Sequence, residues 1–123
     1  MGHILLADDH RFLLKALSIL LSKEGFTFET ANNGQEAIDL FELSQFDAVI
    51  TDLNMPLKNG YDVIQHIRRN RLSETPIIVF SSMIQDEASI QNLEEAGASL
   101  FLSKTDSPLG IVSALHSLVQ KAS

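Results

Sequence analysis

A chain of 123 residues suffices for one compact domain with a substantial core and is too short for two. Its 9 Lys+Arg against 16 Asp+Glu give a formal charge of −7, the wrong sign for steering toward nucleic acid or an anionic membrane. With no cysteine, disulfides, thiolate metal sites and thiol nucleophiles are excluded. No apolar run approaches the length of a membrane span and no basic stretch leads into an apolar segment, so a soluble, cytoplasmic protein is expected. Leu6 stands where an N-myristoylation motif wants Ser or Thr.

The first apolar block, Ile4-Leu5-Leu6-Ala7, is short and continuous, as in a strand covered on both faces of a parallel sheet. A helical period follows, with Leu13, Ala16, Leu17, Leu20 and Leu21 expected on one face and Gly25 past its end. Phe26 to Thr30 alternates instead, which fits a half-exposed edge strand. Ala37, Ile38 and Phe41 give a second helix, Ala48-Val49-Ile50 a third strand, and Val63, Ile64 and Ile67 a third helix. Ile77-Ile78-Val79-Phe80 reads as the fourth strand. From Asp86 to Ala96 a thin stripe of Ile90, Leu93 and Ala96 predicts a fourth helix closed by Gly97. Leu100-Phe101-Leu102 is the fifth covered strand. Ser107-Pro108 then opens a helix with Val112, Leu115 and Val119 on its apolar face. Five strands alternating with five helices predict a doubly wound α/β domain over residues 1–123, with no linker, repeat or low-complexity tail.

Chemistry gathers at the strand ends. The first strand ends in Asp8-Asp9, the third in Asp52 and the fourth in Ser81-Ser82, while Ser103-Lys104 follows the fifth; the second offers only Ala31-Asn32-Asn33. In a parallel sheet these ends share one rim, and ligands bind there where the strand order reverses. With the order 2-1-3-4-5, the first and third strands are neighbours about 5 Å apart and the three acids crowd together. Lys104 starts roughly 10 Å from Asp52, within reach of an extended lysine. Two carboxylates about 4 Å apart repel by roughly 4 kcal/mol at an effective dielectric of 20. Either one acid stays protonated or a cation sits among them, and an all-oxygen set suits Mg²⁺ better than zinc or copper. A single acid at a strand end is commonly a turn or a helix cap; four strand ends converging on one rim tip the balance toward a site.

At these residues the chain resembles the receiver domain of two-component response regulators, the CheY-like group of flavodoxin-like folds, over essentially its whole length. The resemblance is carried by Asp8-Asp9, Asp52 within D-L-N-M-P, Ser81 followed by Ser82, Phe101 and Lys104. It implies that Asp52 accepts a phosphoryl group from a phosphohistidine of a sensor histidine kinase or phosphotransfer protein. By the same resemblance Asp9, Asp52 and the Asn54 backbone carbonyl would ligate Mg²⁺, for which Mn²⁺ could substitute, with Asp8 acting through a bound water. Lys104 would neutralise the transferred group. Ser81 and Phe101 would form the readout pair, altering the surface of the fourth helix, fifth strand and fifth helix for a downstream target or an output domain not in this chain, or for a phosphorylation-dependent dimer. No direct contact with nucleic acid or membrane is expected of this segment. Asn54 and Met83 occupy positions that in the family influence phosphoryl lifetime.

Three departures from the family's common pattern stand out. Thr105 replaces the proline that often follows the lysine, so a trans bond is expected there. Phe101 lacks the hydroxyl of the commoner tyrosine and could signal only by burial, and Ser82 stands where alanine is usual. Two other classes compete. Phosphatases of the haloacid-dehalogenase type need a second acid two residues after the nucleophile, where Asn54 stands; a silent binding module has no use for Asp8, Asp9, Asp52, Ser81 and Lys104 together. No G-x-G-x-x-G loop supports a nucleotide or flavin site. The histidines, His3, His10, His66 and His116, show no ligand spacing, and His10 falls at the cap of the first helix.

Overall fold

The computed structural model describes residues 2–82 and 86–121, so Met83 lies outside the described residues. Strands β1 (His3–Ala7), β2 (Thr27–Ala31), β3 (Ala48–Thr51), β4 (Ile77–Ser81) and β5 (Leu100–Ser103) alternate with α1 (Arg11–Lys23), α2 (Gly34–Leu43), α3 (Gly60–Gln65), α4 (Glu87–Ala96) and α5 (Leu109–Lys121). Helix α3 runs directly into a π turn, His66–Asn70. All neighbouring strands are parallel and the order is β2-β1-β3-β4-β5. This is the doubly wound flavodoxin-like arrangement expected from the sequence.

Alternation along the strands divides the core in two. Leu5, Val49, Ile77 and Val79 face α2, α3 and α4, where Phe41, Ile64 and Leu93 meet them. Ile4, Leu6, Ile50, Ile78 and Phe80 face the opposite way onto α1 and α5. Strands β1, β3 and β4 are therefore almost wholly buried, which is why their sequences read as unbroken apolar runs. β5 departs from that expectation. It lies at the edge of the sheet, and its residues are half-buried or, for Leu100, exposed.

The helices keep their predicted positions; α2 and α3 with its π turn bury the expected Ala37, Phe41, Val63, Ile64 and Ile67, whereas α1, α4 and α5 turn slightly from the expected face. In α1 the core-facing stripe is Leu14, Leu17 and Leu21, while Ala16 is exposed. Leu14 lies deeper than Leu13 because Leu14, Leu17 and Leu21 fall at i, i+3 and i+7 along one line of the helix. In α5 Ile111, Ala114 and Leu115 are buried and Val112 only half-buried; in α4 Leu93 is buried and Ala96 exposed.

Local chemistry sets the helix starts. The Asn33 side chain accepts the Glu36 N–H at 2.8 Å, and Asn59 with Asp62 forms a reciprocal capping box. Asp86 accepts the Ser89 N–H at 2.8 Å, and Ser107 Oγ accepts the Leu109 N–H at 3.2 Å. His10 occupies the cap position of α1 without a side-chain bond to it. Gly25 and Gly97, with φ of 87° and 120°, take the left-handed conformation at the ends of α1 and α4. Among the described residues no peptide bond is cis, so Lys104-Thr105 is trans.

The start of α3 is pressed against the end of β3. Gly60 donates its N–H to the Leu53 carbonyl at 2.9 Å, and a Cβ at Gly60 would lie 2.3 Å from the Asp52 carbonyl oxygen. That oxygen belongs to the backbone and cannot swing aside. Gly60→Ala should accordingly destabilise by about 1–3 kcal/mol, lowering the melting temperature by several degrees. Thermal unfolding followed by circular dichroism checks this; an unchanged transition would mean that α3 is free to shift.

Candidate functional site

The backbone pairing runs one residue past the strands and delivers the acids to the rim. Asp8 donates its N–H to the Ala31 carbonyl at 3.0 Å, and Asp52 donates its N–H to the Ala7 carbonyl at 2.9 Å. Asp8 and Asp52 are thereby held side by side and buried, at 4% and 7% exposure, while Asp9 faces solvent. Ligand-capable atoms of Asp8, Asp9 and Asp52 lie within 4.8 Å of one another, the group of metal-ligating side chains found among the described residues.

On β5's side of the rim, Lys104 donates its N–H to the Ser81 carbonyl at 2.9 Å, continuing the β4–β5 ladder. Its side chain crosses to the acids. Lys104 Nζ lies 2.6 Å from Asp8 Oδ2 and 3.1 Å from Asp52 Oδ2. Crowded acids call for a protonated member or a cation among them, and the chain itself supplies part of the answer: one ammonium bridges the two buried carboxylates. The other oxygens are held as well. Asp8 Oδ1 accepts the His10 N–H at 2.9 Å and Asp52 Oδ1 accepts the Leu53 N–H at 2.7 Å.

Burial lifts the Asp8 carboxyl above its ordinary 3.8, outweighing the hydrogen bonds from Lys104 and the His10 N–H that favour its charged form. Burial also disfavours the charged Lys104, but its bonds to Asp8 and Asp52 overcome this and hold the ammonium above its ordinary 10.5. The lysine is thus locked in its charged state between the two acids.

Ser81 is buried at the last position of β4, in register with Ser103 of β5, and Ser82 is exposed. Phe101 pairs in register with Val79 and is half-buried, packed against the core cluster beneath α2, α3 and α4. Asn54 is exposed in the loop after β3. Three of the histidines pair with glutamates instead: His3 with Glu29, His66 with Glu42 and His116 with Glu24, at 2.8, 2.8 and 3.0 Å.

Two features between the end of β3 and the start of α3 are not evident from the sequence. One is Gly60, flagged only by the Asn59-Gly60 pair before a helix. The other is Leu57, an exposed leucine at φ 67°, at the centre of a γ-turn closed by the Lys58 N–H on the Pro56 carbonyl at 2.8 Å. A bulky residue there stores on the order of 1–3 kcal/mol of strain. Nothing in Pro56-Leu57-Lys58 announces that conformation. The loop is closely fitted against α2 too, since a Cβ at Gly34 would lie 2.0 Å from the Lys58 carbonyl oxygen.

Comparison with known proteins agrees with this geometry. The family described as the response regulator receiver domain matches residues 4–116. The cell cycle response regulator CtrA of Brucella ovis is 29% identical over 119 residues, covering 97% of this chain and 50% of the relative. The chain therefore spans about half the length of the curated relatives it matches. Among solved structures, the Vibrio cholerae chemotaxis protein CheY4 superimposes with a TM-score of 0.87 at 27% identity, covering 96% of this chain and 98% of the other. A Francisella response regulator receiver domain gives a TM-score of 0.92 with 100% of each chain covered; at 23% identity it speaks to the fold alone.

The bridging ammonium generates a prediction. Lys104→Met leaves the crowded acids without their internal cation and should destabilise the metal-free protein by about 2 kcal/mol or more, between the values for exposed and fully buried pairs. Because the folded-state pKa of Lys104 is raised, its contribution is complete below pH 10.5 and disappears as pH climbs through the higher folded value. Urea unfolding of both proteins across alkaline pH should show the gap closing above pH 10.5, and Mg²⁺ should restore part of the variant's loss at neutral pH.

Proposed function

The chain belongs to the response regulator receiver domain family, and on that premise we propose that Asp52 is the phosphoacceptor of a two-component signalling pathway. The observation that carries this reading is the placement of Asp52: a buried carboxylate at a strand end, among two further acids, with a lysine ammonium 3.1 Å from its Oδ2. A carboxylate oxygen of Asp52 attacks the phosphorus of a phosphohistidine presented by a sensor kinase or phosphotransfer protein. The O–P bond forms as the P–N bond breaks, and that bond's electron pair returns to the imidazole.

The donor set fits Mg²⁺. Three carboxylates within 4.8 Å, one of them exposed, form a hard all-oxygen cluster, in a chain with no cysteine to draw a softer metal. Asp9 and Asp52 with the Asn54 backbone carbonyl would hold the ion directly and Asp8 through a water; Mn²⁺ would serve in its place. The ion, when bound, supplies positive charge against the oxygens of the transferring group. Lys104 adds a second positive charge from the β5 side, in a transfer governed chiefly by positioning and electrostatics. Asp8 keeps that ammonium in place through the shorter of its two contacts.

Readout falls to Ser81 and Phe101. The Ser81 hydroxyl bonds an oxygen of the phosphoryl group, and the Phe101 ring takes up a more buried position behind it. Phe101 starts half-buried on an edge strand, so a change in its burial alters the surface of α4, β5 and α5. That surface then meets a downstream protein, an output domain or a second copy of the chain. No described helix is long and apolar enough to cross a membrane, and the charge of −7 disfavours direct nucleic-acid contact; we assign the domain to the cytoplasm.

Incubation with acetyl phosphate and Mg²⁺ should add one alkali-labile phosphoryl group by intact mass, lost in Asp52→Asn and on chelation of the metal. Turnover of a phosphomonoester without a lasting adduct would instead indicate a phosphatase. The chain has no tryptophan, so Phe101→Trp installs a single reporter. Its emission should shift toward the blue on phosphorylation, and adding Ser81→Ala should abolish the shift while leaving the adduct.

A further inference from the structure

Helix α4 carries the wrong charge at its C-terminal end. Its last turn contains Glu94 and Glu95 and no basic residue, although the unpaired carbonyls of a helix C-terminus favour a cation. The cation comes from another element. Arg68, in the π turn after α3, donates Nε–H to the Gly97 carbonyl at 3.0 Å and Nη1–H to the Ser73 carbonyl at 2.8 Å. One planar guanidinium thus ties the residue that closes α4 to the loop entering β4.

Gly97 is fitted to this contact twice over. Its φ of 120° suits glycine, and a Cβ there would lie 2.5 Å from Arg68 Cγ. Its own N–H returns to the Leu93 and Glu94 carbonyls, and the Ala98 N–H also bonds the Leu93 carbonyl at 2.9 Å. Burial lowers the Arg68 pKa, with Glu74 opposing, yet a guanidinium keeps its proton at neutral pH.

The other end of α4 is capped within itself, by the Asp86 side chain on the Ser89 N–H, and none of its first four residues is fully buried. Leu93 is the helix's one buried residue, a turn away from Gly97, whereas Glu87 and Ala88 are exposed and Ser89 and Ile90 only half-buried. Attachment is concentrated at the end that Arg68 grips, and local opening follows where buried contacts are fewest.

We propose that Arg68 is a positioning residue that pins the C-terminal end of α4, so that the helix responds to phosphorylation by pivoting about Gly97 and presents its change to a partner through its N-terminal half. The pivot rests on the phosphoacceptor reading above; the anchor does not. Site-resolved hydrogen exchange on the full chain separates the two. Without a phosphodonor, Arg68→Ala should speed exchange at Gly97 and Ala98 by about tenfold while the rest of the sheet keeps its protection. Arg68→Lys, which keeps the charge and stem but loses the fork, should recover part of it and is read in the same way should the alanine variant fail to fold. Both variants should take up the Asp52 phosphoryl group as the parent does.

With acetyl phosphate and Mg²⁺, the parent should change its exchange around Glu87–Ile90 and hold steady at Gly97 and Ala98, whereas in Arg68→Ala the change should reach Gly97. Unaltered exchange in the donor-free variants overturns the anchor. An equal change along the whole of α4 in the phosphorylated parent overturns the pivot. A parent that takes up no phosphoryl group overturns the pivot together with the phosphoacceptor reading, and the donor-free comparison still decides the anchor.

Discussion

Lys104 reaches from beyond the last strand to touch Asp8 at 2.6 Å and Asp52 at 3.1 Å, and the carboxyl rim of the sheet is organised around that bridge. Carboxylates 4.8 Å apart repel by roughly 3–4 kcal/mol per pair at an effective dielectric of 20, and two of the three here are largely removed from water. A single ammonium cannot neutralise three acids. The residual negative charge, with Asp9 left in solvent, makes the rim a place for a further cation and, once that is present, for an anionic group.

The surrounding structure serves the same rim. The ladders continue past β1 and β3 to seat Asp8 and Asp52, and the β4–β5 ladder continues to seat Lys104. Gly60 lets α3 start directly against the Asp52 carbonyl, so the backbone of Asp52 is held between a strand and a helix. The γ-turn at Leu57 shapes the same β3–α3 loop that holds Asn54. Such a site has hydrogen-bonded backbone and buried Asp8 and Asp52 on one side and the solvent-facing Asp9 on the other.

Much of this was legible because parallel strands buried on both faces leave an unambiguous mark. Ile4 to Ala7, Ala48 to Ile50 and Ile77 to Phe80 could hardly be anything else, and once their order was assumed, Asp8, Asp9, Asp52 and Lys104 had to meet. Helix phase was harder. Leu13, Leu14, Leu17, Ile19, Leu20 and Leu21 crowd so many apolar residues into α1 that the period survives but its buried line is blurred, and Ala16 was placed on the wrong side of that line. Edge position misled in the other direction: Leu100-Phe101-Leu102 is as apolar as a central strand, but β5 has a neighbour on one side only. The closer partner of Lys104 proved to be Asp8, a matter of side-chain reach that strand spacing does not resolve. The grip of Arg68 on Gly97 joins residues 29 apart, with no local signature beyond the glycine itself.

If the three acids form one cation site that Lys104 leaves incomplete, calorimetric titration with Mg²⁺ of the parent and Asp9→Asn will show it. The parent should bind at a single saturable site, weakened by at least about tenfold when the solvent-facing acid is neutralised. No saturable binding, or the same affinity in both proteins, would contradict such a site.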